Sequence, residues 1–193
     1  MYLLNIMQVN IDMNRYHQKL NIPVMFYPQF PSNPITAVLP YNKSQINQEL
    51  IDWLSIMSVG IKHCEVFYLS PDSQSNHVIH LDGQHFDNHA KLNFAYCDTT
   101  AVMNWFTLKE DVVLETKVTP IGTKYIEALE DQCILVHQAI IGRPSLINAG
   151  QLHSVSTVVS PRYCFSFVLS DINTNKYLIW DNAVEIFKDY IEG

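Results

Sequence analysis

Hydrophobic residues along this chain follow two different spacings, and the switch between them sets the expected architecture. Between Ser44 and Gly60, the residues Ile46, Leu50, Ile51, Trp53, Leu54 and Met57 recur at helical intervals. Ser44 is a capping residue type and Gly60 a natural stop. The spacing therefore predicts an amphipathic helix over 44–59 with one buried face. A second pattern, with Val184, Phe187 and Ile191 on one side, predicts a C-terminal helix over 181–192.

Between these helices the pattern is that of strands. Short apolar or alternating runs cover Val66–Leu69, His77–Asp82, Lys91–Cys97, Ala101–Leu108 and Val112–Val118. Cys133–Ile141, Ser145–Asn148, Val155–Val159 and Tyr163–Leu169 follow, while Lys124–Asp131 is ambiguous. Turn sequences separate them: Ser70-Pro71-Asp72, Gly142-Arg143-Pro144, Ala149-Gly150 and Ser160-Pro161. Upstream, Pro23 to Tyr27 is a further strand candidate, bracketed by Pro28, Pro31, Pro34 and Pro40. A chain of about eight to ten short strands without intervening helices predicts an antiparallel sandwich or barrel, not a parallel sheet. The fold class expected is mainly β with flanking helices. The 193 residues suit a single domain, with a β core over about 62–170 and a helical or irregular region over 1–61.

Composition narrows the function classes. The net charge is −7, and there are only 12 basic residues, with no Lys/Arg cluster. Duplex nucleic acid is thus an unexpected partner, because a phosphate backbone requires concentrated positive charge. Of the basic residues only Arg15, Arg143 and Arg162 are arginines, so each carries diagnostic weight. Cys64, Cys97, Cys133 and Cys164 are widely spaced without a CxxC pair, as buried free thiols would be. The N-terminus lacks a basic, apolar leader pattern, and no run reaches the ~20 apolar residues of a membrane span. A cytoplasmic location is the default expectation, with no membrane partner.

The chemistry-bearing residues are histidines with an acid two positions later: His63-Cys64-Glu65, His80-Leu81-Asp82 and His85-Phe86-Asp87. On a strand, residues i and i+2 share a face, so an imidazole and a carboxylate at that spacing can converge on one ion. With 19 acids in the chain such pairs also arise by chance, and context has to choose among them. His80 and Asp82 end an apolar strand and precede Gly83, as at the mouth of a barrel. His85 and Asp87 lie in polar sequence that suits a loop; His63 and Glu65 adjoin the first helix and suit a surface.

Farther on, His153 opens a strand after a glycine turn, and Arg162 opens another nine residues later. A second histidine there would complete a two-His-one-carboxylate set, which suits ferrous iron. On the last strand Arg162, Cys164 and Ser166 share one face. Arginine beside serine suits a small carboxylate, through two parallel hydrogen bonds. Taken singly, Arg162 also fits a surface ion pair and His153 a turn histidine. Asn93, Tyr96 and Trp105 are pocket-wall candidates that equally fit core packing.

The ordered set His80-x-Asp82, a distant His153, and Arg162 one short hairpin later resembles the iron(II)/2-oxoglutarate-dependent oxygenases. The strings HVIHLDG (77–83), KLNFAYC (91–97), NAGQLHSV (148–155) and PRYCFSF (161–167) look like that family too. The resemblance spans roughly residues 62–170, with a looser likeness to the aspartyl/asparaginyl-hydroxylase-like branch. It implies a double-stranded β-helix, a cupin-like jelly roll. It also implies Fe(II) on His80, Asp82 and His153, and 2-oxoglutarate as co-substrate with its distal carboxylate on Arg162. The family often has Ser or Thr two positions after that arginine; here Cys164 stands there, and Ser166 is the nearest hydroxyl on the same face. The implied reaction is hydroxylation of a small molecule or an amino-acid side chain. Two rivals stay open: a metal-binding cupin that does not use 2-oxoglutarate, and a non-enzymatic β-sandwich interaction protein.

Overall fold

The structure, a computed structural model, describes residues 15–31, 38–70, 78–83, 88–96, 101–119, 122–141, 144–156 and 161–192. They form twelve strands and two α-helices. In chain order these are β1 (His17–Lys19), β2 (Val38–Tyr41), α1 (Gln48–Ile56), β3 (Val59–Leu69), β4 (Ile79–Asp82), β5 (Ala90–Tyr96) and β6 (Ala101–Leu108). Then come β7 (Glu115–Val118), β8 (Lys124–Ala128), β9 (Cys133–Ile141), β10 (Ser145–Asn148), β11 (His153–Val155), β12 (Arg162–Asp171) and α2 (Trp180–Phe187).

The strands make two six-stranded sheets, ordered β1-β10-β5-β12-β3-β2 and β7-β8-β4-β11-β6-β9. Every pairing between named strands is antiparallel. The mainly antiparallel β architecture matches the sequence pattern. Eight strands, β3 to β6 and β9 to β12, have a nested arrangement. Strands β3 to β6 alternate between the sheets, and β9 to β12 retrace that path, so that β3 pairs β12, β4 pairs β11, β5 pairs β10 and β6 pairs β9.

Alternation along each strand divides the residues between two faces. On β12, Phe165, Phe167 and Leu169 point away from the second sheet. They join Leu92, Phe94 and Leu146 in the main core, which α1, α2 and Phe26 cover. Helix α1 contributes Leu50, Trp53 and Leu54, and α2 contributes Trp180, Ala183 and Phe187. A smaller apolar cluster, including Ile79, Leu81 and Ile126, lies against the second sheet. A third, of Tyr16, Met103, Trp105, Ile141 and Ile147, fills one end of the space between the sheets.

Four sequence expectations change. The sheets are not confined to 62–170, because β1, β2 and the start of β3 come from the region expected to be helical or irregular. Both early strands are edges of the first sheet, where Pro40 is tolerated because no inner ladder needs its missing N–H. Residues 23–27 form no strand; Phe26 instead inserts among Tyr41, Phe94, Phe165 and Phe167. The first helix is shorter than 44–59. Asn42 caps a separate 3₁₀ turn over Lys43–Gln45, and the helix ends at Ile56, with Met57 as its C-cap and Ser58 beyond it turning the chain at a φ of +58°. The C-terminal helix likewise passes into a 3₁₀ turn over Lys188–Tyr190. No helix among the described residues is long and apolar enough to cross a membrane.

Candidate metal centre

The interior of a β-sandwich is normally apolar. Here the inward face of the first sheet carries Glu65, Lys91, Asn93, Arg162 and Ser166, all buried. Burying such groups is costly unless they are paired or used. Glu65, Asn93, Arg162 and Ser166 border a cavity of about 320 Å³ between the sheets, and the second sheet contributes His80, Asp82 and His153 to its wall.

Those three residues are brought together by pairing as well as by spacing. His80 and Asp82 share the inward face of β4, and β11 places His153 directly opposite His80. Their ligand atoms all lie within 4.8 Å of one another, about the width of a first coordination shell built at metal–ligand distances near 2.1 Å. The Nε2 of His80 is 3.9 Å from Oδ1 of Asp82, and the two imidazole centroids are 4.5 Å apart. Gly83 follows with a φ of +92°, turning the chain away from the cluster in a conformation side-chain-bearing residues avoid.

Both rings are oriented by their own backbone. The Nδ1–H of His80 donates to the carbonyl of Val78 at 3.0 Å, and that of His153 to the carbonyl of Gln151 at 2.8 Å. A carbonyl only accepts, so Nδ1 carries a proton, and in the neutral ring the lone pair is left on Nε2. That is the tautomer a metal ligand needs. Burial holds the pKa of His153 down at about 3, helped by neighbouring His80, so the ring is neutral at ordinary pH. Burial alone would raise the Asp82 carboxyl, but Lys91, then His153 and His80, outweigh it and hold Asp82 ionised. Two imidazole Nε2 atoms and one carboxylate oxygen thus converge as a facial donor set.

Arg162 sits across the cavity on the facing sheet. It is 2% exposed; its Nε has no hydrogen-bond partner, and no carboxylate pairs with it among the described residues. Ser166 lies farther along the same face of β12 and is occupied, its hydroxyl donating to Oδ1 of Asn93 at 2.7 Å. Asn93 and Ser166 therefore both line the cavity as a mutually satisfied pair.

The remaining wall candidates fall elsewhere. Tyr96 lies on the opposite face of β5, where its hydroxyl donates to the Phe26 carbonyl at 2.6 Å and its ring packs on Phe165. Trp105 faces inward but is packed among Tyr16, His17 and His137 beside the cavity. His85, Asp87, Cys97 and Arg143 lie outside the described residues; Cys64, Cys133 and Cys164 are buried and form no disulfide among the described residues. His63 is exposed as expected, but its partner acid Glu65 is buried at the cavity wall. The sequence pattern assigns Glu65 to a surface and does not single out Lys91. The signal available was the alternation Lys91-Leu92-Asn93-Phe94, which puts two polar residues on one face of an otherwise apolar strand.

No protein-family model, curated protein or solved structure matches this chain.

Proposed function

We propose that the protein is a non-haem Fe(II)- and 2-oxoglutarate-dependent dioxygenase, acting as a hydroxylase on a jelly-roll scaffold. The nested pairing of β3 with β12, β4 with β11, β5 with β10 and β6 with β9 is the pattern expected when one long hairpin folds into a two-sheet roll. The observation that carries the functional reading is the pairing of two features in one cavity. A two-His-one-carboxylate set lies on one sheet, and a buried guanidinium without an anionic partner among the described residues lies on the other.

The donor set fits Fe(II). Two imidazoles with fixed tautomers and one carboxylate oxygen leave three positions of an octahedral ion open. The guanidinium fits the distal carboxylate of 2-oxoglutarate, since an unpaired buried cation is stabilised by a two-pronged anionic partner. A metal-only cupin has no use for such a group. Bound iron would supply the dioxygen chemistry, with 2-oxoglutarate as the source of two electrons and succinate and carbon dioxide as its products. The chain's own residues perform the rest. His80, Asp82 and His153 hold the ion, Arg162 aims the co-substrate, and Val78, Val155 and Leu69 line the cavity with apolar surface that excludes water. The substrate is a small molecule or an amino-acid side chain that enters this cavity.

Anaerobic titration with Fe(II) tests the centre. The full chain should bind about one ion, as a single facial triad allows, and His80→Ala, Asp82→Ala and His153→Ala should each weaken binding strongly. Unchanged affinity in all three variants would exclude this site. Loss confined to His85→Ala or Asp87→Ala would move it to the other pair.

A further inference from the structure

We propose that Lys91 and Glu65 are positioning residues that dictate how Asp82 meets the metal. Lys91 holds one carboxylate oxygen so that only the other is offered to the ion, and Glu65 cancels the charge Lys91 brings. This inference rests on the metal-centre reading above and adds to it two residues outside the donor set.

The two oxygens of Asp82 have different surroundings. Oδ2 lies 2.8 Å from the Nζ of Lys91, whereas Oδ1 is turned toward Nε2 of His80. Lys91 reaches across from the facing sheet and is only 3% exposed. Its ammonium also lies 3.3 Å from Oε2 of Glu65 and 5.6 Å from the centre of the Phe67 ring. The second oxygen of Glu65 accepts from the Thr123 hydroxyl at 3.1 Å. A continuous chain, Thr123 to Glu65 to Lys91 to Asp82, thus ties both sheets to one oxygen of one ligand.

A carboxylate with both oxygens free can bind an ion through one or both. Bidentate binding by Asp82 would take four of six octahedral positions for the protein and leave two. Single-oxygen binding leaves three, enough for a chelating co-substrate and one further reactant. An ammonium fixed on Oδ2 enforces the second case. Alone, that ammonium would repel a dication. With Glu65 included, the group of two carboxylates and one ammonium carries the net charge of Asp82 by itself. A buried ion pair is a poor way simply to fill space, since apolar residues of similar volume do so at less cost. Its placement on a ligand oxygen gives it a use.

Mn(II) is the probe, because its inner-sphere water is countable by proton relaxation and its free ion by electron paramagnetic resonance. The wild-type chain should bind Mn(II) with about three inner-sphere waters, as the open positions of an octahedral ion require. Lys91→Met combined with Glu65→Gln removes the constraint without changing net charge, and should drop the count to about two. A double variant that binds Mn(II) and keeps the wild-type water count would overturn the proposal while leaving the metal centre intact. Should the double variant not fold, Glu65→Gln alone decides. It leaves Lys91 uncompensated near the ion and should weaken Mn(II) binding at least about tenfold, given the strength of charge interactions at this range in a protein interior. Wild-type affinity in that variant would overturn the charge-cancelling role. If the wild-type chain binds neither Mn(II) nor Fe(II), the metal centre itself fails and this inference goes with it.

Discussion

Replacing Arg162 by methionine should make the metal-free protein more stable and unable to hold 2-oxoglutarate. The side chain is 2% exposed, and its Nε has no hydrogen-bond partner. No carboxylate among the described residues neutralises it. An unpaired buried ion costs several kcal/mol even after relaxation. Methionine has nearly the same length, no charge and a flexible shape suited to irregular gaps. Exchanging an unpaired ion for it should stabilise the fold by about 1–4 kcal/mol, and each kcal/mol moves the melting point of a chain this size by roughly 2–4 °C. On the proposed function, the same exchange removes the counter-charge that would hold the co-substrate. Truncating one partner of a buried charge pair costs about 2–5 kcal/mol, which is a loss of roughly 30-fold to several thousand-fold in affinity. Arg162→Lys should fall between, because an ammonium restores charge but not the fork. The assays are thermal denaturation of metal-free protein, and titration of the Fe(II) protein with 2-oxoglutarate followed by visible absorbance or calorimetry. Fe(II) affinity should stay at the wild-type level throughout, since the donors are on the other sheet. A lower melting point in Arg162→Met together with undiminished 2-oxoglutarate binding would refute the reasoning, and with it the co-substrate assignment.

Tyr96→Phe should cost about 1 kcal/mol, the net worth of one hydrogen bond, through loss of the contact to the Phe26 carbonyl. It should leave Fe(II) and 2-oxoglutarate binding unchanged; a changed binding constant would return Tyr96 to the cavity. The buried ring of His17 concerns pH. Burial, then His137 and Lys19, hold its pKa at about 4 against an ordinary value of 6.5. Between those values the unfolded chain binds the extra proton, so stability should fall as pH drops from about 6.5 to about 4, by up to about 3 kcal/mol from this group. Urea denaturation of metal-free protein across that range should show a shallower slope in His17→Gln, and an identical slope would contradict the assignment.

Much of the candidate site was legible from alternation alone. The two-residue spacing puts His80 and Asp82 on one face of β4, and puts Arg162, Cys164 and Ser166 on one face of β12. The same rule also separates Asn93 from Tyr96 on β5, since an odd step changes face. Asn93 and Tyr96 therefore cannot both face one cavity from a regular strand. The strands Ala101–Leu108, Cys133–Ile141 and Ser145–Asn148 are found with the bounds their turn signals imply. The first helix was overextended, because the apolar spacing runs through Ile46 and Met57 although neither lies within α1.

What the sequence by itself determined is therefore periodic and local: strand identity, face membership, the His80/Asp82 pair and the scarcity of arginine. The tertiary structure alone decided which faces meet. The opposition of His153 to His80 depends on register between strands about seventy residues apart in the chain. Glu65 looked like a surface acid beside a helix, and Lys91 like the polar start of an apolar strand. Both became buried because the sheets close on that side, bringing Lys91 of one sheet within 2.8 Å of Asp82 on the other. Side-chain period is set by the backbone of a single strand and can be read along it. Sheet-to-sheet contact is set by the sum of many weak apolar contacts across the fold, and no short stretch of sequence contains it.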